Sequence, residues 1–427
     1  MKKRITIILV VTIILLTAIT IGIIIKNKRN NNFQNRRVDY IEKESPFNLK
    51  LIKEVNKNRK ENYLISPYSI EIALNLLKEG ANNNTFDEID KLISNRDIPN
   101  LIVKDRIGIA NAAFIKEKYK KEILQTYTEI LKNKYNSEIL YDEFKTPAVI
   151  NDWVNNKTNG MIDKILDEID KDFILGLANA IAIDVKWDEP FECINTTSEE
   201  FKKDNGDKIK VEMMHKTLNS ESSKYLENKY AKGIIVPYMS YNKETGEEDY
   251  DSDNNLEFIG ILPNSSIDEY IEFLNNEKLR ELLSTAKTPS DNLEIKLALP
   301  RFKYDYDLED FKDVLINLGI KDAFDKENAD FTKIYKRSEI IQNLYVGEAI
   351  HKTHIDLNEQ GTKAAAVTYF GLMKATGVMP NEKEIINIEF NKPFIYMIRD
   401  KKTNEILFFG VVYEPNIWHD PTCENVD

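Results

Sequence analysis

The residues that most often perform catalysis or bind metals are few in this chain of 427 amino acids. Its four histidines are His215, His351, His354 and His419. None stands in an HExxH zinc motif, and the sequence has neither the GxSxG of a serine nucleophile nor a GxxxxGK[ST] phosphate loop. Asp and Glu are abundant, but their spacing singles out no pair. The lack of a nucleophile motif counts against a hydrolase with an unrecognised site.

Two histidines and a carboxylate come close together in YVGEAIHKTHIDL, at His351, His354 and Asp356. The pattern of this segment predicts a β-strand. Because side chains alternate between the faces of a strand, His351 and His354 then point to opposite sides and cannot bind one metal. We interpret His351 as a hydrogen-bonded core histidine, and we predict no metal and no cofactor.

The chain has two cysteines, Cys193 and Cys423. They form no CxxC pair and no metal-binding cluster. A chain of this length can bury a stable core without a disulfide framework. One bridge between the two cysteines remains open from the sequence alone.

An acidic stretch, YNKETGEEDYDSDNNLE, runs from Tyr241 to Glu257. Apart from Lys243, its charged residues before the end are carboxylates: Glu244, Glu247, Glu248, Asp249, Asp251 and Asp253. The alternation of Asp251, Asp253 and Asn255 is similar to a calcium loop, but the glycine and the distal glutamate of such a loop are missing. We interpret the stretch as a solvated loop between two strands.

The overall charge excludes one class of function. A net charge of −12 argues against nucleic-acid binding, which depends on lysines and arginines that neutralise phosphates. Apolar residues make up 42% of the chain, which is enough for a large core. We therefore expect a folded body that does not bind nucleic acid.

The N-terminus combines a basic head, residues 1–4, with an uncharged apolar run from Ile5 to Ile25. A run of this length matches the ~20 residues that cross a bilayer as a helix. It ends in IGIIIKNK without a small-residue cleavage site, which favours an uncleaved transmembrane signal anchor. Cleavage of a signal peptide near Ala18 or Thr20 is the alternative.

The next segment, residues 26–44, is polar and rich in Asn and Arg, as a linker would be. Positive charges flank the apolar run on both sides, so the positive-inside rule does not decide the orientation cleanly. The short basic head favours an N-terminus inside the cell. The sequence thus predicts a membrane-anchored protein with an extracellular body, and secretion is the alternative.

The body of the chain mixes helical and strand periodicities. Apolar residues recur at helical spacing in Ser69–Gly80 and Tyr306–Ile320, and at the start of Val149–Leu166, where a polar turn ending in Gly160 follows. Ser66 and Pro67 supply a cap and a first helical residue for the first of these segments. Strands are indicated at ANAIAIDVKW, LEFIGILP and LEIKLALP, and PFIYMIRDKKTNEILFFGVVYEP is typical of a hairpin. This pattern predicts an α+β fold.

One segment, NEQGTKAAAVTYFGLMKATG from Asn358 to Gly377, fits more than one state. Taken alone, KAAAVT is typical of an alanine-rich loop or helix. As a strand it would have two faces, of which the first carries Thr362, Ala364, Ala366 and Thr368 and the second Lys363, Ala365 and Val367. The first face consists of small, uncharged residues.

Several segments stand in an order that resembles the serpin family. From the N-terminus they are NYLISPYSIEIALNLLKEGANNNTFDEI, INDWVNNKTNGMIDKIL, ANAIAIDVKWDEPF, VEMMHK, LPRFKYDYDLEDFKDVLINLGIKDAF, ADFTKI, EAIHKTHIDLNEQGTKAAAVT and FNKPFIYMIRDKKTNEILFFGVVYEP. The resemblance gives a serpin domain at residues 45–417 and a C-terminal tail at 418–427. It implies three β-sheets, about eight to nine helices and an exposed reactive-centre loop.

The resemblance implies a monomeric suicide substrate of serine proteases, with cysteine proteases as a further target class. The protease attacks the loop and forms a covalent acyl-enzyme. The cut loop then inserts as a strand into the central sheet and traps the enzyme. The inhibitor has no catalytic residue of its own. A non-inhibitory serpin that acts as a binding or structural protein is the alternative, and the small residues of the inserting segment argue against it.

The same resemblance assigns a hinge, where the loop leaves the sheet. The hinge residues are Glu359, Gly361, Thr362, Ala364, Ala365, Ala366 and Thr368. Bulk or charge on the inward face would slow insertion, and Thr362 to Thr368 offers neither if Thr362 faces inward. Lys363, where many family members carry an acidic residue, then faces solvent.

Two further groups follow from the resemblance. The shutter, where family members hydrogen-bond across the gap that opens, is Ser69, Asn179 and His351. The breach, where the loop enters first, is Trp187 and Arg301. Glu359 matches a carboxylate that pairs with a base in the family, so we predict a contact between Glu359 and Arg301.

Family spacing places the reactive bond between Ala375 and Thr376. A shift by one residue would place it between Lys374 and Ala375, which would favour trypsin-like targets over elastase-like or subtilisin-like ones. A cut at Met379–Pro380 is disfavoured, because a proline after the cut hinders most proteases.

Overall fold

The computed structural model describes residues 46–57, 59–94, 96–250, 252, 256–338, 341–362, 383–417 and 419. Within these ranges the chain forms eight α-helices and seventeen β-strands. The helices are α1 Pro46–Asn56, α2 Pro67–Gly80, α3 Asn83–Ile93, α4 Gln125–Tyr135, α5 Ala148–Lys157, α6 Ile267–Phe273, α7 Asn276–Leu283 and α8 Phe311–Asn317.

The strands are distributed along the whole body. They are β1 Tyr63–Ile65, β2 Ile107–Lys116, β3 Glu138–Asp142, β4 Leu175–Ile183, β5 Val185–Lys186, β6 Thr196–Lys202, β7 Lys208–Leu218, β8 Lys224–Glu227, β9 Ala231–Pro237, β10 Leu256–Pro263, β11 Leu293–Pro300, β12 Phe302–Asp307, β13 Lys352–Asn358, β14 Gly361–Thr362, β15 Glu384–Glu389, β16 Phe394–Asp400 and β17 Ile406–Val412.

Hydrogen bonds join the described strands into four sheets, and we treat two of them as parts of one. One has the order β1-β17-β16-β10-β9-β8, and a second has the order β15-β11-β7-β6. The third, which we call the central sheet, has two parts with the orders β3-β2-β4 and β12-β13-β14-β5. Only Asp184 separates β4 from β5, so one stretch of chain carries the first part into the second. The predicted α+β architecture is confirmed for the described residues. They form eight helices, where eight to nine were expected, and the three expected sheets when the two joined parts are counted as one.

Local signals explain where the first predicted helix begins. The side chain of Ser66 accepts a hydrogen bond from the backbone N–H of Ser69, and Pro67 occupies the first helical position. The Ser66 side chain thus satisfies a backbone N–H of the first turn that has no partner within the helix. Proline lacks an N–H, and the first helical position is one where none is needed. The prediction for α2 is confirmed.

The predicted helix at Tyr306–Ile320 is shorter than expected. Tyr306 belongs to β12, and α8 begins only at Phe311. Leu308 is buried in the connection between them, so its helical spacing from Phe311 came from burial and not from a shared helix. Gly319, with φ of +111°, follows the helix as predicted.

The outer face of the central sheet is covered by α5. Small side chains of the sheet, including Ala112 and Ala180, leave room for the buried rings of Phe114 and Trp153. These two rings pack edge to face with centroids 5.6 Å apart. A larger core fills the opposite face of the sheet and the space between it and the other sheets and helices.

An edge inside the central sheet lacks a strand partner. On one side β13 pairs with β12 from Lys352 to Leu357, but on the other only Leu357 and Asn358 are paired, with β14. Among the described residues, β4 pairs with β2 alone. We call the unpaired length between β4 and β13 the slot, and β14 closes one end of it.

Several predictions concern residues that the structure does not describe. The apolar run at 5–25, the linker at 26–44 and most of the tail lie outside the described residues. In the ranges that are described, no helix is long and apolar enough to cross a membrane. Cys193 is disulfide-bonded, and the only other cysteine of the sequence, Cys423, lies outside the described residues.

Candidate functional site

The closed end of the slot is formed by β14. This two-residue strand lies between β13 and β5 and runs antiparallel to both. Gly361 is opposite Asn358 on one side and Lys186 on the other, while Thr362 is opposite Leu357 and Val185. The first residues of the segment that fits more than one state are therefore already part of the sheet.

Gly361 allows the close approach of β14 to β5. A Cβ atom at this position would lie 2.1 Å from the carbonyl oxygen of Val185 and 2.7 Å from Cα of Lys186. Its φ of +154° is also rarely adopted by residues with a side chain. A larger residue would push the start of the hinge out of the sheet.

Thr362 faces inward, which is the orientation in which the predicted inward face is small and uncharged. Its side chain is only 3% exposed, and its hydroxyl forms a 2.7 Å hydrogen bond with the hydroxyl of Tyr238. Burial raises the pKa of Tyr238, so the phenol stays protonated. Tyr238 is a member of this site that sequence reasoning missed, because nothing in its local pattern marks it.

The predicted contact between Glu359 and Arg301 is present. Nε of Arg301 donates to both carboxylate oxygens of Glu359, at 2.8 and 2.7 Å. The hydroxyl of Thr196 also donates to this carboxylate, and Glu212 lies 3.5 Å from the guanidinium. Glu359 is 4% exposed, so its charge depends on these partners.

Trp187 stabilises the turn that leads into β14 through two hydrogen bonds. Its ring is stacked on Tyr238 with centroids 4.5 Å apart. The indole N–H donates to the carbonyl of Asn358 at 2.9 Å, and the backbone N–H donates to the carbonyl of Gln360 at 2.8 Å. The aromatic residue assigned to the breach thus contacts the backbone on both sides of Glu359.

The three predicted shutter residues lie around the first turn of α2. The hydroxyl of Ser69 donates to Oδ1 of Asn179 on β4. One turn away, the backbone N–H of Ser66 donates to Nε2 of His351 at 3.0 Å, just before β13. Because Ser66 also caps Ser69, one connected group of hydrogen bonds links both walls of the slot.

His351 is buried, and burial lowers its pKa to about 4. It therefore accepts the Ser66 hydrogen bond as a neutral ring. Asn111, which sequence reasoning missed, extends the group by accepting a 2.7 Å hydrogen bond from Asn179. A lone asparagine inside the apolar strand IGIANAAFIK is a signal that could have found it.

His354 lies on the opposite face from His351, as predicted. Its Nδ1 is 2.7 Å from a carboxylate oxygen of Asp305, its register partner on β12. On either side of this pair, cross-strand ion pairs join Lys303 to Asp356 and Lys352 to Asp307. In the described part of the chain, no three His, Cys, Asp or Glu side chains form a group that could hold a metal ion.

The rest of the predicted site lies outside the described residues. This holds for the hinge residues Ala364, Ala365, Ala366 and Thr368 and for the reactive-bond candidates Lys374, Ala375 and Thr376.

Comparison with known proteins identifies the family to which this chain belongs. A family model described as "Serpin (serine protease inhibitor)" matches residues 42–415. The chain belongs to the serpin family. Its first α-helix, its sheets and its slot all fall within the matched residues.

Relatives of this serpin are found in distant organisms. An uncharacterized serpin-like protein of Methanosarcina acetivorans is 28% identical over 384 residues, which is 85% of this chain and 84% of that protein. Alpha-1-antiproteinase of Bos taurus is 28% identical over 386 residues, 84% of each chain. The native crystal structure of tengpin, a thermophilic serpin, matches with a TM-score of 0.72 and 33% identity over 86% of this chain and 92% of its own.

The acidic stretch of this serpin is anchored beside β5. Nζ of Lys186 lies 3.0 Å from Glu248, and the backbone N–H of Lys186 donates to the hydroxyl of Tyr241 at 3.0 Å. The guanidinium of Arg106 stacks over the ring of Tyr241 at 4.9 Å. The expectation of a solvated loop is therefore right for exposed residues such as Glu244 but wrong for Tyr241, which is buried.

Proposed function

We propose that this serpin is a suicide-substrate inhibitor of serine proteases, with cysteine proteases as a second target class. The observation that carries the proposal is β14, whose two residues already lie between the walls of the slot. A target protease would attack the loop with its own nucleophile and form an acyl-enzyme. Once the loop is cut, the strand that begins at Thr362 can extend along the slot and carry the attached protease with it.

The registers of β14 specify which residues would meet during insertion. Continued in steps of two, they place Ala364 with Ile355 and Ile183, Ala366 with Thr353 and Ile181, and Thr368 with His351 and Asn179. The isoleucines of both walls are buried and bulky, so alanine is the side chain that fits between them. The hydroxyl of Thr368 would arrive at the polar shutter, where it has hydrogen-bond partners.

Insertion would be favourable and would cover a long distance. About fourteen inserted residues at ~3.3 Å each would span on the order of 45 Å. On the order of a dozen new backbone hydrogen bonds would contribute roughly 1 kcal/mol each. The uncut protein would then be held by a kinetic barrier and not by the lowest free energy.

A covalent complex tests the proposal directly. The full-length serpin is mixed with a panel of serine and cysteine proteases, and the products are separated on a denaturing gel. We expect a band that contains both chains, because the acyl-enzyme survives denaturation. Clean cleavage by every protease, with no such band, would contradict the proposal and favour the non-inhibitory alternative.

A variant at Thr362 separates trapping from simple cleavage. In Thr362→Arg, a charge would have to be buried between Leu357 and Val185, so the loop should be cut without trapping. Thr362→Ser keeps a hydroxyl for Tyr238 and should still form the covalent complex. Full inhibition by the arginine variant would be inconsistent with insertion of this segment.

The position of the cut can be read from the released C-terminal peptide. We propose Ala375–Thr376 as the reactive bond and Lys374–Ala375 as the alternative. The two cuts give peptides that differ by one alanine, which mass spectrometry distinguishes. The first result would indicate an elastase-like or subtilisin-like target, and the second a trypsin-like one.

We also propose that the serpin domain, residues 45–417, is a monomer held outside the cell by its N-terminus. In this proposal residues 1–4 stay inside, 5–25 span the membrane and 26–44 are the linker, while cleavage and secretion are the alternative. The support is the length of the apolar run and its missing cleavage site. Cell fractionation should find the intact chain in membranes and a chain without Ile5–Ile25 outside them. An intact chain in the soluble fraction would refute the anchor.

A further inference from the structure

A buried cluster outside the slot contains more negative than positive charge. The guanidinium of Arg96, which follows α3, lies between Glu71 on α2 and Glu405 just before β17. Nε and one terminal nitrogen donate to the two carboxylate oxygens of Glu71 at 2.8 and 2.6 Å. The terminal nitrogens also donate to both oxygens of Glu405, one of them at 3.0 Å. One cation is thus shared by two carboxylates.

The cluster is almost entirely buried. Glu71 is 1% exposed and Glu405 is 2% exposed, while the side chain of Arg96 is 13% exposed. Two carboxylates and one guanidinium leave one negative charge unbalanced in a place where water screens charges poorly. Burial and the repulsion between the carboxylates both favour the uptake of one proton.

The titratable and charged groups that face Glu405 come from three elements. They are Glu71 and Tyr68 from α2, Arg96 from the connection that follows α3, and Asp400 from the end of β16. Arg96 is the only cation among them. The other arginine of this hairpin, Arg399, donates to Glu257 at 2.6 Å, and Lys401 and Lys402 in its turn are exposed.

These surroundings affect the protonation of Glu405. Burial raises its pKa above the ordinary 4.5, and the charges of Glu71 and Asp400 raise it further. The hydrogen bonds and the charge of Arg96 lower the pKa, but they do not cancel the effect of burial. As the pH falls, Glu405 therefore takes up a proton while it is still buried.

The cluster joins three parts of the fold. One carboxylate is on α2, two residues after Ser69, and the other is on the hairpin of β16 and β17. The connection that contains Arg96 ends at Arg106, whose carbonyl accepts the backbone N–H of Asp184 at 2.8 Å between β4 and β5. Opening of the cluster would therefore loosen α2 and a segment that reaches one wall of the slot.

We propose that Glu71, Arg96 and Glu405 form a latch that becomes more stable in mild acid, because one proton on Glu405 strengthens the attachment of α2 to the hairpin. In the ionised cluster, exposure to water would relieve an unbalanced buried charge. The protonated cluster is a balanced pair of Glu71 and Arg96 beside a neutral carboxyl group that still accepts a hydrogen bond. Local opening of α2 then costs more free energy.

The sign of this pH dependence is definite. Because the pKa of Glu405 is raised in the folded protein, the stabilisation by its proton is complete below pH 4.5 and is lost as the pH rises through the raised value. His351, whose pKa is lowered, has the opposite effect on stability. A variant that differs from the parent only at residue 405 separates the two effects.

The latch would also slow the opening of the slot, and this part rests on the function proposed above. At the first turn of α2, Ser66 bonds to His351 on one wall and Ser69 bonds to Asn179 on the other. The walls cannot separate while both hydrogen bonds are kept. An α2 that is held more firmly to the hairpin should therefore open the slot less often.

Glu405→Gln tests the latch without any protease. Glutamine keeps the shape of the protonated side chain and cannot ionise, so the uncut variant should melt on the order of 2 °C above the parent at pH 7. Its amides at 70–80 on α2 should exchange hydrogen roughly three- to tenfold more slowly than those of the parent at pH 7. The two rates should converge as the pH falls to 4.5. A variant that is unfolded, or less stable than the parent at pH 7, would overturn the inference.

Glu257→Gln is the matched control. Glu257 is also buried, but it pairs with Arg399 and does not share its partner with a second carboxylate in the contacts described. Its replacement leaves a buried guanidinium without its carboxylate, so this variant should melt below the parent at pH 7. Glu71→Gln should remove the same pH dependence as Glu405→Gln, since Arg96 then has one carboxylate. If Glu405→Gln and Glu257→Gln both lose stability, the cluster is an ordinary ion pair and the latch is refuted.

A second measurement separates the latch from the proposed function. The uncut parent and Glu405→Gln are warmed at pH 7, and the remaining ability to trap a protease is followed with time. The variant should lose trapping roughly three- to tenfold more slowly, in proportion to its slower opening. If no protease is ever trapped but α2 exchanges as expected, the proposed function fails and the latch stands. If trapping occurs but α2 exchanges equally in both proteins at pH 7, the latch is overturned and the function stands.

Discussion

The buried imidazole of His351 connects the two walls of the slot through the cap of α2. Its Nε2 accepts the backbone N–H of Ser66 at 3.0 Å, and this role requires an unprotonated nitrogen. Its ring also lies near Phe311, with centroids 5.7 Å apart, and not near a carboxylate that could stabilise a positive charge. Protonation would therefore cost both a hydrogen bond and the burial of a charge.

The pKa of about 4 gives a pH dependence of stability with a definite sign. Unfolding restores the pKa of His351 from about 4 to its ordinary 6.5, so the unfolded chain binds the extra proton between these values. Stability from this residue is present above pH 6.5, is lost as the pH falls, and is gone below about 4. The loss totals roughly 3 kcal/mol.

Replacement of the ring checks this prediction. His351→Gln keeps an acceptor for Ser66 and removes the titration. Urea unfolding at pH 7, 5 and 4 should show the parent losing roughly 3 kcal/mol more than the variant over this range. Carboxylates elsewhere titrate in both proteins, so the difference isolates His351. Parallel pH curves would show that the imidazole does not control this part of the pH dependence.

Residue types predicted some of these contacts and not others. The pairing of Glu359 with Arg301 could be predicted from motif positions, because a buried carboxylate needs a base. Strand alternation predicted which residues share a face with Thr362, but only the structure shows that this face points inward. Tyr238 and Thr196 could not be predicted, because their roles depend on which strands the fold brings beside the hinge. Ser66 was predicted only as a helix cap, although it also binds His351.

At the scale of elements, the central sheet explains why one segment fits two states. β14 is only two residues long, yet it is paired on both sides. The sequence identified the segment as a hinge but could not fix where the strand begins, because small residues suit a loop and a strand equally. What fixes the beginning is Gly361, whose missing side chain allows β5 to approach.

Another element limits how far the strand can extend without rearrangement. α5 covers the outer face of β4 around Ala180, against the rings of Phe114 and Trp153. If the register of β14 were continued, Val367 would lie opposite Ala180, and insertion past this level would require α5 to move away from the sheet. The helical pattern predicted α5 itself, but its position against β2 and β4 depends on tertiary packing.

At the scale of the whole molecule, the proposed mechanism requires that the uncut fold is not the most stable arrangement of this chain. Along the slot, β4 and β13 have no strand between them among the described residues, and the sequence that follows Thr362 is rich in small residues. Cutting the loop removes the constraint that keeps its two ends together. In the proposed mechanism, the same chain then completes its central sheet without any new molecule.

Cutting should therefore make the protein more resistant to heat. Roughly a dozen hydrogen bonds would add on the order of 10 kcal/mol. For a body of about 370 residues this corresponds to a rise in Tm on the order of ten degrees. Calorimetry of the serpin before and after nicking, with both fragments retained, measures the shift. Ala364→Arg is the matched control, because its charge would be buried only when the loop inserts, so its nicked form should melt close to its own uncut form. An unchanged Tm on nicking of the parent would mean that the slot does not accept the loop, because a two-sided strand of this length cannot form without raising stability.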